Sequence, residues 1–182
     1  EAEALTIWTD TDGVMTADPR YVPDAQTLDT LTYEEAMELA YFGASVIHPQ
    51  TLAPAIEHQI PITIRNTFAP EKPGTRIHLK GDGRAAVKGF STVDDVALLN
   101  LEGTGMIGVP GIARRLFDAL EDEGVSVILI SQGSSEHSIC FAVPQAQAET
   151  ARTATEQAFY AEMDRGQIQS VDVMPNCSIL AV

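Results

Sequence analysis

An apolar run, Leu5-Thr-Ile-Trp-Thr9, leads straight into Asp10 and Asp12, a glycine at 13 and the tripeptide Asp18-Pro19-Arg20. Acids delivered by a strand end into a loose glycine loop lie where open α/β sheets bind ligands, which suits phosphate or nucleotide chemistry. Carboxylates at i and i+2 on a strand share a face, so Asp10 and Asp12 can address one cation or one phosphate. The same residues also describe a capped loop, each aspartate accepting backbone N–H groups. Spacing alone does not separate these two readings. An EF-hand is excluded, because the glycine arrives two positions early. No strand or helix precedes this segment, so the chain reads as a piece of a longer protein.

A second candidate lies at Gly103-Thr-Gly-Met-Ile-Gly108, which fits G-x-G-x-x-G between a strand and a helix. A dinucleotide site would need an acid at the end of the next strand and a helical crossover after it. Instead that strand ends at Ile130-Ser-Gln132, and Gly133-Ser-Ser-Glu136 reverses the chain tightly. The fingerprint therefore does not predict a nicotinamide cofactor. Unpaired N–H groups at the following helix start, together with the helix dipole, still make a seat for a carboxylate such as that of a small amino acid. Gln132 and Glu136 flank the turn, where polar residues are common in any case.

The elements that must hold these segments fall into two regions. In the first, Tyr33–Phe42 predicts an amphipathic helix with Thr32 and Glu35 as a capping box and Gly43 as its end. Pro49 opens a second helix to about Glu57, and Ile60–Arg65 is a β-branched strand. Asn66–Ile77, with Pro70, Pro73 and Gly74, reads as turn and linker, which places a boundary between about 77 and 86. In the second region, Val96–Leu101 is a strand. Pro110 starts a helix whose Ile112, Leu116, Phe117 and Leu120 share one face, and Gly124 closes it. Arg114 and Arg115 lie on the other face, with Asp118 and Glu121 as partners. Val125–Ile130 reads as a central strand, and Ser138–Val143 follows. A single helix over about 145–164 and a strand at Ile168–Val173 complete β-α-β-β-α-β, the ferredoxin-like order. Ser178–Val182 reads as the opening strand of a further unit.

The chain has 182 residues, with 26 acids against 11 bases and a formal net charge of −15. That balance argues against sequence-independent nucleic-acid binding, which relies on Lys and Arg at the phosphates, and suits a cytoplasmic protein. No apolar run reaches the length of a membrane span. Cys140 and Cys177 lie in apolar runs and are expected as buried free thiols of a reducing compartment. Neither they nor the scattered His48, His58, His78 and His137 have metal-ligand spacing, so no metal site is predicted.

Three motifs in order carry a resemblance over essentially the whole chain. Trp8-Thr-Asp-Thr-Asp-Gly-Val-Met-Thr-Ala-Asp-Pro-Arg20 resembles the nucleotide-binding segment of aspartate kinases. Phe42-Gly-Ala-Ser-Val-Ile-His-Pro49 resembles their second signature, and Ile128-Leu-Ile-Ser-Gln-Gly-Ser-Ser-Glu-His-Ser-Ile139 the effector strand and turn of their ACT regulatory domain. The similarity is greatest to the threonine-regulated bifunctional type that also carries a homoserine dehydrogenase, although the sequence does not show whether one follows. The resemblance implies an α/β and α+β chain. Residues 1–80 would be the C-terminal part of an amino-acid-kinase domain, 85–174 a ferredoxin-like ACT domain, and 175–182 the first strand of a second ACT unit. It further implies transfer of the γ-phosphoryl of Mg-ATP to the side-chain carboxylate of L-aspartate by the full-length parent, with no cofactor required by this piece.

Carried over by position, Thr9, Asp10 and Arg20 would contact nucleotide, while Met106, Gly108, Val109, Pro110, Ile130 and Gln132 would contact the effector, threonine or else lysine. Met15 stands where the pattern often has Tyr, and Ser45 where many members have Lys. The lysine- and glycine-rich segment that holds aspartate and the transferred phosphate in the family is not among these residues, so no catalytic residue is assigned and the piece alone is expected to be inactive. The expected assembly is a homodimer through ACT units. Two rivals remain: a stand-alone amino-acid-binding module, and a phosphatase built on Asp10 and Asp12, whose Asp-x-Asp-Gly-Val resembles the haloacid-dehalogenase nucleophile motif.

Overall fold

The computed structural model describes residues 2–41, 49–80, 87–133 and 137–182. The chain divides into two compact units, Glu1–Val93 with Ile179–Val182, and Asp94–Ser178.

The first unit is built on a four-stranded sheet. Its strands are β1 (Leu5–Thr9), β2 (Thr30–Thr32), β3 (Ile62–Asn66) and β4 (Thr75–His78), in the order β1-β3-β4-β2. β1 runs parallel to β3, from Leu5 opposite Ile62 to Thr9 opposite Asn66. β4 is antiparallel to β3 and parallel to β2. Alternation along β3 buries Ile62 and Ile64, and Ile77 joins them from β4. Val14, Leu31, Tyr33, Ala36, Leu52 and Ala55 join them in this core. Helix α1 (Tyr33–Tyr41) starts on the capping box: Glu35 N donates to Thr32 Oγ1 at 3.1 Å, and Thr32 N donates to Glu35 Oε2 at 2.8 Å. Pro49 is the first residue of α2 (Pro49–Glu57). The helix end expected at Gly43 lies outside the described residues.

The stretch read as linker is not one. Pro73-Gly74 is a turn that feeds β4. Gly74 has φ +76, and a Cβ there would fall 1.9 Å from the Ile64 carbonyl oxygen, so only glycine fits. Both β2 and β4 are too short for a period-two pattern to stand out, which is why the sequence does not reveal them.

The second unit has the predicted β-α-β-β-α-β order. β5 (Ser91–Glu102), α3 (Ile112–Asp122), β6 (Leu129–Gln132), β7 (Ser138–Pro144), α4 (Ala148–Ala158), α5 (Tyr160–Asp164) and β8 (Ser170–Ala181) follow one another, with sheet order β6-β7-β5-β8. β7 lies antiparallel to both β5 and β6, from Val96 opposite Pro144 to Glu102 opposite Ser138, and from Leu129 opposite Ala142 to Gln132 opposite Ile139. Ile112, Leu116 and Leu120 of α3 pack on Leu99, Leu101, Ile139, Phe141 and Val143, with Phe117 partly buried beside them.

Several expectations change here. The apolar run from Val125 yields only β6, an edge strand with all four residues exposed, not a central one. Apolar runs alone do not tell edge from centre. The helix over 145–164 is a 3₁₀ turn (Gln145–Gln147) followed by α4 and α5, interrupted at Phe159. That residue leaves helical geometry (φ −112, ψ 17) with its ring fully buried. Residues 170–181 form one strand instead of two, with Asn176 at φ +58 donating its N–H to Gln145 Oε1 at 2.8 Å. Arg114 pairs with Asp118 as expected, but Arg115 reaches Glu162 at 2.7 Å, not Glu121. Cys140 and Cys177 are free but only half-buried.

Leu116→Ala removes a fully buried side chain from the second core. It should cost about 2–5 kcal/mol, read as a lower urea midpoint by circular dichroism with an unchanged slope.

Candidate functional site

β1 and β3 are parallel neighbours, so their carboxyl ends open on the same side, where loops of an α/β sheet bind ligands. The chain leaves β1 after Thr9, and the loop after β3 closes against it: Thr67 N donates to the Thr9 carbonyl at 2.8 Å. Thr9 is half-buried and Asp10 exposed. The two acids of the motif are engaged separately. Asp10 Oδ1 accepts from Thr9 Oγ1 at 3.2 Å. Asp12 turns toward β3, its Oδ1 accepting from Asn66 Nδ2 at 2.7 Å and its Oδ2 from Lys72 Nζ at 2.5 Å. The Lys72 ammonium first, and the Asn66 amide second, hold the Asp12 carboxyl below the usual range against a smaller opposing effect of burial. Asp12 is thus an anchor for its loop, with both carboxylate oxygens engaged. Among the described residues, no group of three or more His, Cys, Asp or Glu side chains is gathered to hold a metal ion.

Arg20 sits further along, folded onto Asp18. Its Nη2 lies 2.6 Å and its Nε 2.9 Å from Asp18 Oδ2, and its backbone N–H also reaches Oδ1 at 2.8 Å. The Asp18 carboxyl is held low by that guanidinium. The segment between is pinned to the sheet through buried Thr75, whose Oγ1 accepts from Val14 N at 2.8 Å and donates to the Leu28 carbonyl at 2.6 Å. Thr9, Asp10 and Arg20 therefore share one well-fastened segment. Ser45 and the rest of the second signature up to residue 48 lie outside the described residues; its Pro49 opens α2.

In the second unit, a cavity of about 310 Å³ opens between the start of α3 and the end of β6. Met106, Gly108, Val109, Pro110 and Gln132 line it, five of the six positions proposed for the effector. Ile130 does not. It shares a strand face with Gln132, but its side chain is 54% exposed, one step beyond the cavity wall. Gly111, Ile112 and Ala113 line it as well. The sequence missed them by starting the helix at Pro110, whereas Pro110 and Gly111 form a turn and Gly111 caps α3 at φ +88 without a side-chain bond. The first N–H groups of α3 lack helical partners, as at any helix start, and Ile112 and Ala113 there line the cavity. Glu136 lies outside the described residues.

Two of the three glycines in the G-x-G-x-x-G string, Gly103 and Gly105, have a packing reason. A Cβ on Gly103 would meet the Gln167 carbonyl oxygen at 2.4 Å and Ile168 Cα at 2.5 Å, and Gly105 N donates to that same oxygen at 2.9 Å. Backbone approaches backbone where a dinucleotide reading would place pyrophosphate.

Residues 1–66 match the family model described as Amino acid kinase family, and residues 99–159 match the ACT domain. The bifunctional aspartokinase/homoserine dehydrogenase 1 of Zea mays, named chloroplastic, is 50% identical over 100% of this chain and 20% of its own length. The bifunctional aspartokinase/homoserine dehydrogenase of Haemophilus influenzae is 48% identical, over 100% of this chain and 22% of its own. The chain belongs to the aspartate kinase family. Solved structures agree. Clostridium acetobutylicum aspartate kinase superposes with a TM-score of 0.84 at 26% identity, covering 98% of this chain and 41% of that one. Aspartokinase III of E. coli in complex with aspartate and ADP gives 0.77 at 27%, covering 98% and 39%. This family member spans about a fifth of the length of the bifunctional relatives it matches. No helix among its described residues is long and apolar enough to cross a membrane.

A depressed carboxyl contributes stability above its unfolded value, and that contribution is lost as pH falls through the folded one. The Asp12 carboxyl carbon should therefore titrate below its position in the urea-unfolded chain, and Lys72→Met should raise it toward the ordinary range. Carbon-detected NMR titration of both proteins checks the sign.

Proposed function

We propose that this chain is the regulatory portion of an ATP-dependent aspartate kinase, joined to the C-terminal part of its catalytic domain. The parent would transfer the γ-phosphoryl of Mg-ATP to the side-chain carboxylate of L-aspartate. Residues 1–80 would belong to the kinase domain, 85–174 to one ACT unit, and 175–182 to the beginning of a second. The observation that carries the reading is the cavity between the α3 start and Gln132, lying where the ACT match runs.

A free amino acid suits that cavity. Its α-carboxylate would sit on the unpaired N–H groups of α3, with the dipole aiding the negative charge. Gln132 offers both a carbonyl and an amide from the opposite wall, able to meet an ammonium and a hydroxyl. Threonine is the favoured effector, supported by the bifunctional relatives. Lysine comes second, supported by the likeness to E. coli aspartokinase III in complex with lysine and aspartate. Such a ligand shifts the kinase only by its differential affinity for two states. β6 is a sheet edge carrying exposed Leu129 and Ile130, which supports a side-by-side homodimer. A cytoplasmic setting belongs to the same proposal, although the plant relatives are named chloroplastic.

Thr9, Asp10 and Arg20 are the proposed nucleotide contacts. Phosphoryl transfer depends almost wholly on positioning and charge, and no lysine- and glycine-rich segment for aspartate is present among the 182 residues. The chain by itself should therefore form no aspartyl phosphate above background in a hydroxamate assay. Detectable product would overturn the division of labour proposed here. A second reading, an amino-acid-binding module with no catalytic partner, is favoured by one fact: the cavity is formed wholly within the second unit. A reading frame for the lysine- and glycine-rich segment directly upstream in the gene would exclude it.

Threonine should raise the melting temperature by binding only the folded form. Gln132→Ala should weaken threonine by about 1 kcal/mol, roughly fivefold, the net worth of one side-chain hydrogen bond. Equal calorimetric affinity in the variant would remove Gln132 from the site.

A further inference from the structure

The loop joining β3 to β4 is a strap with its own bracing. Arg65 Nη2 donates to the carbonyls of Pro70 at 2.6 Å and Lys72 at 3.2 Å, and its guanidinium lies 5.3 Å from the Trp8 ring centroid. Lys72 N closes onto the Ala69 carbonyl at 3.1 Å. Phe68 N donates to Asn66 Oδ1 at 2.8 Å, which fixes the amide so that its Nδ2 faces Asp12. Lys72 then reaches the other Asp12 oxygen. A loop this self-supporting has more contacts than a connection between two short strands needs, and its far end is aimed at the aspartate segment.

We propose that the 66–72 strap positions the nucleotide segment, with Asp12 as the residue through which Lys72 and Asn66 hold Thr9 and Asp10 in their binding geometry. The inference rests on the reading of Thr9 and Asp10 as nucleotide contacts. Asp10–Gly13 lies outside the strand, and the Asp12 side chain ties it to the strap. Both Asp12 oxygens are used for that purpose, one by a neutral amide of fixed orientation and one by an ammonium. The backbone bond from Thr67 to Thr9 adds a third attachment at the strand end. A segment held this way binds its ligand without first having to be ordered. Lys72 and Asp12 are positioning residues, acting through the loop without touching the nucleotide.

Trp8 is the only tryptophan of the chain and lies beside Thr9, so its fluorescence reports this region. The 182-residue protein is titrated with Mg-ATP while Trp8 emission is followed, and melting temperatures are taken without nucleotide. Lys72→Met should raise the apparent Kd about fivefold, as befits a half-exposed ion pair, and Asp12→Asn at least as much. Lys72→Arg, which restores the charge, should recover most of the affinity, and the melting temperatures should fall only slightly, as losing a half-exposed ion pair does. Saturable binding with equal Kd in every variant overturns the strap while leaving the nucleotide reading in place. A melting temperature that falls in step with affinity makes the contacts structural only, and overturns it too. No saturable change in the unaltered protein removes both.

Discussion

Everything in the first unit depends on the register of β1 against β3. With Leu5 opposite Ile62 and Thr9 opposite Asn66, Ile62 and Ile64 turn into the core while the two strands end together. A slip of one residue would turn both isoleucines to the other face. The hydrophobic requirement therefore fixes the polar arrangement. Thr9 and Asn66 are brought level because the aliphatic residues behind them must be buried, and the loops that follow inherit that alignment.

The second unit solves a related problem differently. Its helices and sheet bury a continuous row from Leu99 through Phe141 to Leu116, and the connection from β5 to α3 has to cross the end of that core. Gly103 and Gly105 let it lie directly on the backbone at Gln167 and Ile168. The chain then turns through Pro110-Gly111 before α3 starts, leaving the helix end uncovered. The cavity is the space this detour leaves beside β6. Its polar character comes from main-chain groups and one glutamine, an economical way to recognise something as small as an amino acid.

Much of this was legible in the residues. The capping box at Thr32 and Glu35, Pro49 as a helix start, the apolar face of α3 and the ferredoxin-like order were each carried by a strong local signal. Met106, Gly108, Val109, Pro110 and Gln132 line the cavity and came from the resemblance, not from periodicity or composition. What the sequence could not reveal has physical reasons. β2 is held by pairing with β4, remote in the chain, and a Thr-Arg-Ile-His stretch has no preference strong enough to announce β4. The edge position of β6 depends on which strand pairs with which, and a run of apolar residues is silent about that. The break at Phe159 falls where a large ring is fully buried, and no local propensity marks it. The partners of Asp12 were invisible for the same reason: Asn66 and Lys72 meet it only because two strands lie side by side.

Arg115 has a mechanical meaning beyond its charge. Its guanidinium stacks 4.1 Å from the Phe159 ring centroid while its Nη2 holds Glu162 at 2.7 Å, so α3 is bolted near its first turn to the interrupted helix pair. The helix that forms one wall of the cavity is thereby immobilised against the domain interior. The opposite wall is β6, laddered to β7 along one side and carrying exposed Leu129 and Ile130.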